Sequence, residues 1–423
     1  MSIKLTARFI KTFESSLIVF VLIFAEVLEI PSQINGLINA LSYLISAYIL
    51  FTHAGKILYF IKANILLLLL LSIAFFSFFW SQAAEVTSEQ LRALFRTTLF
   101  GVYIASNYST EEQLQLFAWP YRITAIVSLL AVILMPSYAT HMPNKTVDWK
   151  GIYAHKQYLG RSMALASSLH LVLMIRNIGK RWINFTFLLL SLAMVLFSHS
   201  KTSLVMVALT FLTYPLYIIA KQRSYRFRAL LIILVLFVIS IIAVVISINI
   251  ETVLVDVLHK DTELNGRTPL WTLVIQKGLE HPFFGYGYAG FWSTSSGRFI
   301  AENTWGKYLL VFYDKAGLPF RWHAHNGFLE VFLQLGLVGL FLFLSDFFLT
   351  VLRITNLVIT THSLEFFWML QFLSLTLFVN FSEMATVLSP SNIFWIIYLS
   401  VSISSVVYCK EVFRKPRTGI LVE

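Results

Sequence analysis

Charge is scarce in this chain. Of 423 residues only 13% are Asp, Glu, Lys or Arg, against about 25% in an ordinary soluble domain. With 58% hydrophobic residues, that shortage excludes a soluble globular protein. Cysteine is scarcer still. Cys409 stands alone, so no disulfide closes within the chain, and thiol chemistry or a cysteine-bound metal has little to work with. Acids are outnumbered by bases, 21 to 32, for a formal charge of +11. In a membrane protein such an excess belongs in cytoplasmic loops facing anionic lipid. What abounds is aromatic and aliphatic surface, with 38 Phe, 18 Tyr and 10 Trp and a mean hydropathy of +0.76. Disordered and nucleic-acid-binding chains carry no such load. The expected class is an all-α polytopic membrane protein.

Apolar runs of roughly the 17 to 25 residues that cross a bilayer fall near 15–30, 34–52, 64–80, 92–107, 117–136, 159–175, 183–199, 202–220, 229–249, 326–351, 363–381 and 387–408. They predict twelve helices. Lys4, Arg8 and Lys11 precede the first run, and no small-residue cleavage site follows Glu26, Glu29 and Pro31, so the expectation is a retained span. With the N-terminus inside, the predicted inner loops hold 17 of the 32 basic residues, while the short outer loops hold Arg92, Lys145, Lys150 and Lys156. The positive-inside rule favours that orientation. The chain then divides into an N-terminal bundle over 1–249, a periplasmic loop over 250–325, and C-terminal helices with a cytoplasmic tail over 326–423.

Two stretches do not suit a membrane, the polar loop 137–158 and the long insertion 250–325. The insertion has seven Lys or Arg and seven Asp or Glu, so its individual charges matter more than its net field. PLWTLVIQKGLE at 269–280 has helical apolar spacing and predicts an amphipathic helix on the membrane surface. HPFFGYGYAGF after it is glycine-rich and predicts a turn-rich connector. No internal repeat is visible, which disfavours transporter folds built by duplication.

Chemistry-bearing residues gather on the predicted outer face. In HAHNGFLEVFLQLGLVGLF, His325 and Asn326 stand at the mouth of the tenth helix, and Glu330 and Gln334 follow at i+4 and i+8 as one polar stripe. Such a stripe is costly against lipid and points into the bundle; interhelical hydrogen bonding around a membrane-edge histidine is the plainer account. His323 and His325 form a His-x-His pair with no third ligand in evidence, so no metal is expected. GIYAHKQYLGRSMALA places His155, Lys156 and Arg161 at the outer end of the sixth helix, with Arg161 inside the apolar run. Its planar fork suits a diphosphate, and snorkelling to the interface is the alternative. Lys201 in SHSKTS, Arg267 in NGRTPLW, and Arg92 with Arg96 one helical turn apart add further cations. A histidine among arginines and few acids fits an anionic lipid-linked substrate. The imidazole can accept a hydroxyl proton, while the arginines stabilise a departing diphosphate.

In order, FWSQAAEVTSEQLRALFRTTLFGVYIA, GIYAHKQYLGR, SHSKTSL, GRTPLWTLVIQKGLEHPFFGYGYAGF and HAHNGFLEVFLQLGLVGL resemble the O-antigen ligase and polymerase superfamily of bacterial envelope glycan biosynthesis. The likeness covers about 75–345, with the ligase-like region near 160–345, and is closest to the branch associated with exopolysaccharide polymerisation. It implies an undecaprenyl-diphosphate-linked glycan donor, metal-independent inverting glycosyl transfer without a cofactor, and a multi-pass protein of the bacterial inner membrane with its site on the periplasmic side. By motif, His325 resembles the family's loop-end histidine, which activates the acceptor hydroxyl. Arg267 resembles its periplasmic-loop arginine, and Arg161 or Lys156 its membrane-edge diphosphate contact. Gln157 stands where Asn is frequent and Lys201 where Arg is, which costs the latter bidentate phosphate geometry. The acceptor, a second lipid-linked glycan, lipid A core or a protein, separates polymerase from ligase from oligosaccharyltransferase, with polymerase narrowly favoured. The competing class is a transporter or flippase for an anionic lipid, with Glu26, Glu29, Asp346, Glu365 and Glu383 as coupling acids.

Overall fold

A computed structural model describes residues 2–141, 147–220, 267–316, 320–382, 387–390 and 392–414. Among these the chain is helical almost throughout. Its first half runs α1 (Ser2–Phe24), α2 (Ser32–Ala63), α3 (Ile65–Phe76), α4 (Ala84–Asn107), α5 (Thr110–Leu134), a two-residue antiparallel pair β1 (Thr140–His141) and β2 (Asp148–Trp149), α6 (Lys156–Ile175), α7 (Arg181–Phe197) and α8 (Lys201–Ala220). After residues 221–266 come α9 (Arg267–Gly278), α10 (Ser295–Glu302), α11 (Lys307–Ala316), α12 (Gly327–Thr361), α13 (Leu364–Ser382) and α14 (Ile393–Arg414). Among the described residues six helices are long and apolar enough to cross a membrane, and Ile65–Phe79 and Arg181–Phe197 are apolar but shorter. Eleven of the twelve expected spans coincide with a helix; the one expected at 229–249 lies outside the described residues. The chain is an all-α polytopic membrane protein.

The boundary near residue 52 differs from the periodicity reading. No loop follows residue 52, because α2 continues to Ala63, and Lys56 on its last turns donates to Asn107 Oδ1 at 2.9 Å. The turn into α3 is made by Asn64. Its side-chain oxygen accepts the Leu67 N–H, and its amide donates to Asp346 Oδ1 at 2.6 Å and to Ser402 at 2.8 Å. A buried polar turn of this kind needs partners supplied by other helices, and α12 and α14 supply them.

The helices pack as neighbouring hairpins, α6 with α7 and α8, α4 with α2 and α14, and α12 with α3, α13 and α14. Their ends fall into two sets. One end holds Lys11 with Glu112 and Arg176 with Glu365. The other holds Lys150 with Glu29, the bridge of Leu28 to Tyr153, the Trp80 indole on the Phe284 carbonyl, and Arg321 with Glu89 at 2.6 Å. Alternate helix ends gathered this way describe a chain that threads up and down. The second end carries every residue of the candidate site, and Arg92 and Arg96 lie within two turns of Glu89 there.

At that end residues 267–333 build a core of their own from Leu270, Val274, Phe291, Trp292, Phe320 and Trp322, separate from the main bundle core. Helix α9 forms where expected, but its Leu270 and Val274 are fully buried and it packs on α12. It is therefore seated on protein through that face, where the sequence reading had laid it on the membrane surface. The glycine-rich segment is no free connector either. Gly336 breaks α12 at φ 67° and ψ −167°, and 282–287 docks into the break. Tyr286 and Gly287 N–H bond the Leu333 and Gln334 carbonyls, both at 3.0 Å, and Leu337 N–H bonds the Pro282 carbonyl at 2.7 Å. A side chain at Gly336 would meet the Phe283 carbonyl at 2.2 Å, so both the positive φ and the close approach require glycine. The polar stripe of Asn326, Glu330 and Gln334 thus lies on and just ahead of a short helix before the break, not along a continuous span.

Candidate active site

The strand of chain from Phe320 to Asn326 crosses the small core and delivers two imidazoles. Three residues hold it. Glu330 is 4% exposed, and its carboxylate accepts the Ala324 backbone N–H at 2.8 Å, the Trp292 indole N–H at 3.0 Å and the Gln334 amide at 2.7 Å. The Trp271 indole of α9 donates to the Ala324 carbonyl at 2.9 Å. Asn326 caps α12, its Oδ1 accepting Phe328 and Leu329 N–H at 3.0 and 3.1 Å. Between these anchors His325 is forced to φ 50°, a left-handed conformation that persists only where its surroundings over-determine it.

The His323 and His325 rings lie 3.9 Å apart, centroid to centroid, and His325 also contacts Trp305 at 5.0 Å and Trp322 at 6.2 Å. His325 Nε2 and His323 Nδ1 are buried with no hydrogen-bond partner. Burial lowers the imidazole pKa of His325 to about 2, with His323 and then Arg267 adding to the effect. Burial likewise lowers His323 to about 4, only partly offset by its own backbone hydrogen bond and reinforced by Arg161 and Arg267. Both rings are therefore neutral near pH 7 in the protein without substrate, held below the ordinary histidine value by burial. Arg161 and Arg267 both act electrostatically on His323, and Arg267 acts on His325.

Arg161 comes from α6, 4% exposed, with its guanidinium carbon 5.0 Å from the Tyr158 ring centroid and 5.7 Å from Phe394 at the start of α14. It acts electrostatically on Glu26, which accepts the Ser162 hydroxyl at 2.5 Å. Arg267 is the first residue of α9. The structure thus brings His325, His323, Arg161 and Arg267 together from three separate sequence motifs. Among the described residues no three His, Cys, Asp or Glu side chains converge as a metal set.

The other expected residues lie elsewhere. Lys156 pairs with Asp148 at 2.7 Å, and the same carboxylate takes His199 Nδ1 at 2.7 Å. Burial pushes the Asp148 carboxyl up, but those two bonds outweigh it and hold it below the usual carboxylate range. His155 caps α6 through its own ring, accepting Gln157 N–H at 3.3 Å, and Lys201 is exposed at the start of α8. Arg92 and Arg96 project from α4 toward α2. Of the acids proposed for transport, Glu29 pairs with Lys150, Glu365 with Arg176, and Asp346 is enclosed by Asn64, Ser402 and the Tyr398 hydroxyl. Glu383 lies outside the described residues. Sequence reasoning missed the Glu330 clamp, the Trp271 and Trp292 donors, and Asp148; the one available signal was the acid at i+4 after Asn326.

Residues 186–344 match the O-antigen ligase family. A stretch of 83 residues is 36% identical to the exopolysaccharide production protein ExoQ of Rhizobium meliloti (strain 1021), covering 20% of this chain and 17% of that protein. The family match takes in His325, Arg267, Glu330 and Lys201, whereas Arg161, Lys156, Arg92 and Arg96 precede it. On these two matches the resemblance read from the motif order is borne out: residues 186–344 are similar to the O-antigen ligase family, and the chain that carries them is a multi-pass membrane protein.

Proposed function

We propose that the protein moves a glycan from an undecaprenyl-diphosphate-linked donor to an acceptor hydroxyl, in one inverting displacement and without a metal, at the periplasmic end of the bundle. The observation that carries this reading is His325, a buried imidazole whose Nε2 has no hydrogen-bond partner, in ring contact with His323 and under the charge of Arg267, with Arg161 acting on His323 beside it. The acceptor oxygen attacks the anomeric carbon as its proton passes to the imidazole. The bond from that carbon to the diphosphate breaks, and its electron pair leaves on the diphosphate between the two arginines.

An imidazole with a pKa near 2 is a poor base. Burial is the main cause and Arg267 only adds to it, so negative donor charge beside the ring offsets the arginine's part and favours the protonated imidazole as the acceptor proton arrives. The base becomes competent when the donor is bound. Similarity to an exopolysaccharide production protein favours a polymeric acceptor over lipid A core.

The test uses purified protein in sealed vesicles of one orientation, with labelled undecaprenyl-diphosphate glycan and chelator present. Transfer to an acceptor supplied on the side of residues 294–316, and not from the opposite side, is expected. Chelator-sensitive transfer, or none with any lipid-diphosphate donor, would remove the proposal.

A further inference from the structure

Arg92 and Arg96 remain unused by the site around His325. On α4 they lie one turn apart and so share a face. Beside them a groove of about 430 Å³ opens between α2, α3 and α4, walled by Tyr43, Phe75, Phe78, Phe79 and Phe95, with Arg92 on its lip. Its walls are open to the exterior, since Phe79 is 79% exposed and Tyr43, Phe78 and Phe95 are each exposed. Arg96 is 7% exposed, stacks 4.7 Å over Tyr43 and donates to Asn39 Oδ1 at 3.1 Å. Behind it a second cavity of about 210 Å³ is lined by Asn35, Asn39, Ser42 and Thr97. An apolar trough thus has Arg92 in its lining, with Arg96 stacked on its wall residue Tyr43 and bordering a polar recess.

Cations are costly on a lipid-facing helix, and a trough fit only for hydrocarbon gives no reason to place two of them at its end. A lipid with a phosphate head satisfies both features. The fork geometry of arginine matches phosphate oxygens, and aromatic walls suit the flat, methyl-branched units of a polyprenyl tail. We propose that this groove holds a second polyprenyl phosphate lipid, with its phosphate on Arg92 and Arg96 and its first tail units on Tyr43, Phe78, Phe79 and Phe95. Resting on the transfer reading above, that lipid is the carrier of the acceptor glycan, which makes the protein a polymerase that grips two lipid carriers at once.

Lipid occupancy tests the site without any transfer step. The full chain is placed in nanodiscs of zwitterionic phospholipid, titrated with undecaprenyl phosphate and counted by native mass spectrometry. Wild type is expected to hold two molecules. Arg92→Gln with Arg96→Gln, and separately Ser88→Trp, which fills the groove and leaves both arginines in place, are each expected to hold one, with affinity for the lost molecule falling about tenfold or more. Undecaprenol, which lacks the phosphate, should bind weakly, and phosphatidylglycerol should not displace the second molecule. A count of one in wild type, a count of two in both variants, or displacement by phosphatidylglycerol at equal concentration overturns the site. If the count behaves as expected but the double variant elongates a lipid-linked acceptor at the wild-type rate, the groove binds lipid and the acceptor-carrier role falls. Failure of transfer in every protein, with the counts intact, counts against the transfer reading and leaves the lipid site standing.

Discussion

The Glu330 carboxylate accepts the backbone N–H of Ala324 at 2.8 Å, and so ties the residue between the two histidines to the first turn of the helix that follows them. With Trp271 holding the carbonyl of the same residue, Ala324 is fixed on both sides and the imidazoles inherit its position. Glu330 is a positioning residue, acting on the reaction through the loop it holds.

Glu330→Gln should accordingly lower turnover more than donor binding. The amide can still accept one hydrogen bond, but its NH2 faces the indole of Trp292 or the amide of Gln334, both donors, and a buried donor without a partner costs about 1–3 kcal/mol. We expect kcat to fall about tenfold or more, donor affinity to stay within about threefold, and the acid limb of the rate profile to move as the histidine loop relaxes. A general loss of folding would instead reduce both parameters with an unmoved pH profile. Steady-state kinetics across pH decides between the two.

Arg161→Ala and Arg267→Ala should each weaken donor binding by about 10- to 100-fold, the worth of a charge-assisted contact, with expression near normal. Lys in either place should restore only part, since an ammonium cannot bond two phosphate oxygens at once. The same variants have a second readout. Each removes a cation that depresses His323, so its imidazole should titrate higher in both, whereas His325 should respond to Arg267 alone of the two. NMR titration of ring-labelled histidine checks this, and unmoved titrations would separate the arginines from the site.

For the histidines themselves, the unfolded chain protonates near 6.5, while the folded pKa values are about 4 and about 2. Below pH 6.5 the unfolded state therefore binds more protons than the folded one, and stability falls as the pH drops from 6.5 through 4. Thermal unfolding at pH 7.5 and pH 5 should show that decline, and His323→Ala should flatten it. His325→Ala should lose transfer by about 10²- to 10⁴-fold while still binding donor, with His323→Ala much milder. Because kcat/KM reports the free enzyme, its acid limb should lie well below pH 6. A limb between 6 and 7 that disappears in His325→Ala would show that the imidazole is solvated before donor binds.

The sequence alone determined the architecture and the cast. Apolar runs of bilayer length leave the backbone no choice but helix, because in lipid every N–H and C=O must be satisfied within the segment. Eleven such runs became helices. Arg161, Arg267 and His325 were singled out because charge in so apolar a chain is expensive enough to be conspicuous. The tertiary structure decided which of those charges meet. Lys156 looked equivalent to Arg161 until Asp148, eight residues before it, claimed its ammonium, and Arg96 turned to Tyr43 and Asn39 of a helix that periodicity had ended eleven residues too early. Gly336 read as one more apolar helix residue, yet its φ of 67° and the docked 282–287 segment exist only because two stretches fifty residues apart complete each other's hydrogen bonds. Burial was likewise invisible. Whether an imidazole titrates near 6.5 or near 2 depends on which rings and guanidinium groups surround it, and those come from residues 161, 267, 305 and 322, gathered by packing that no local pattern records.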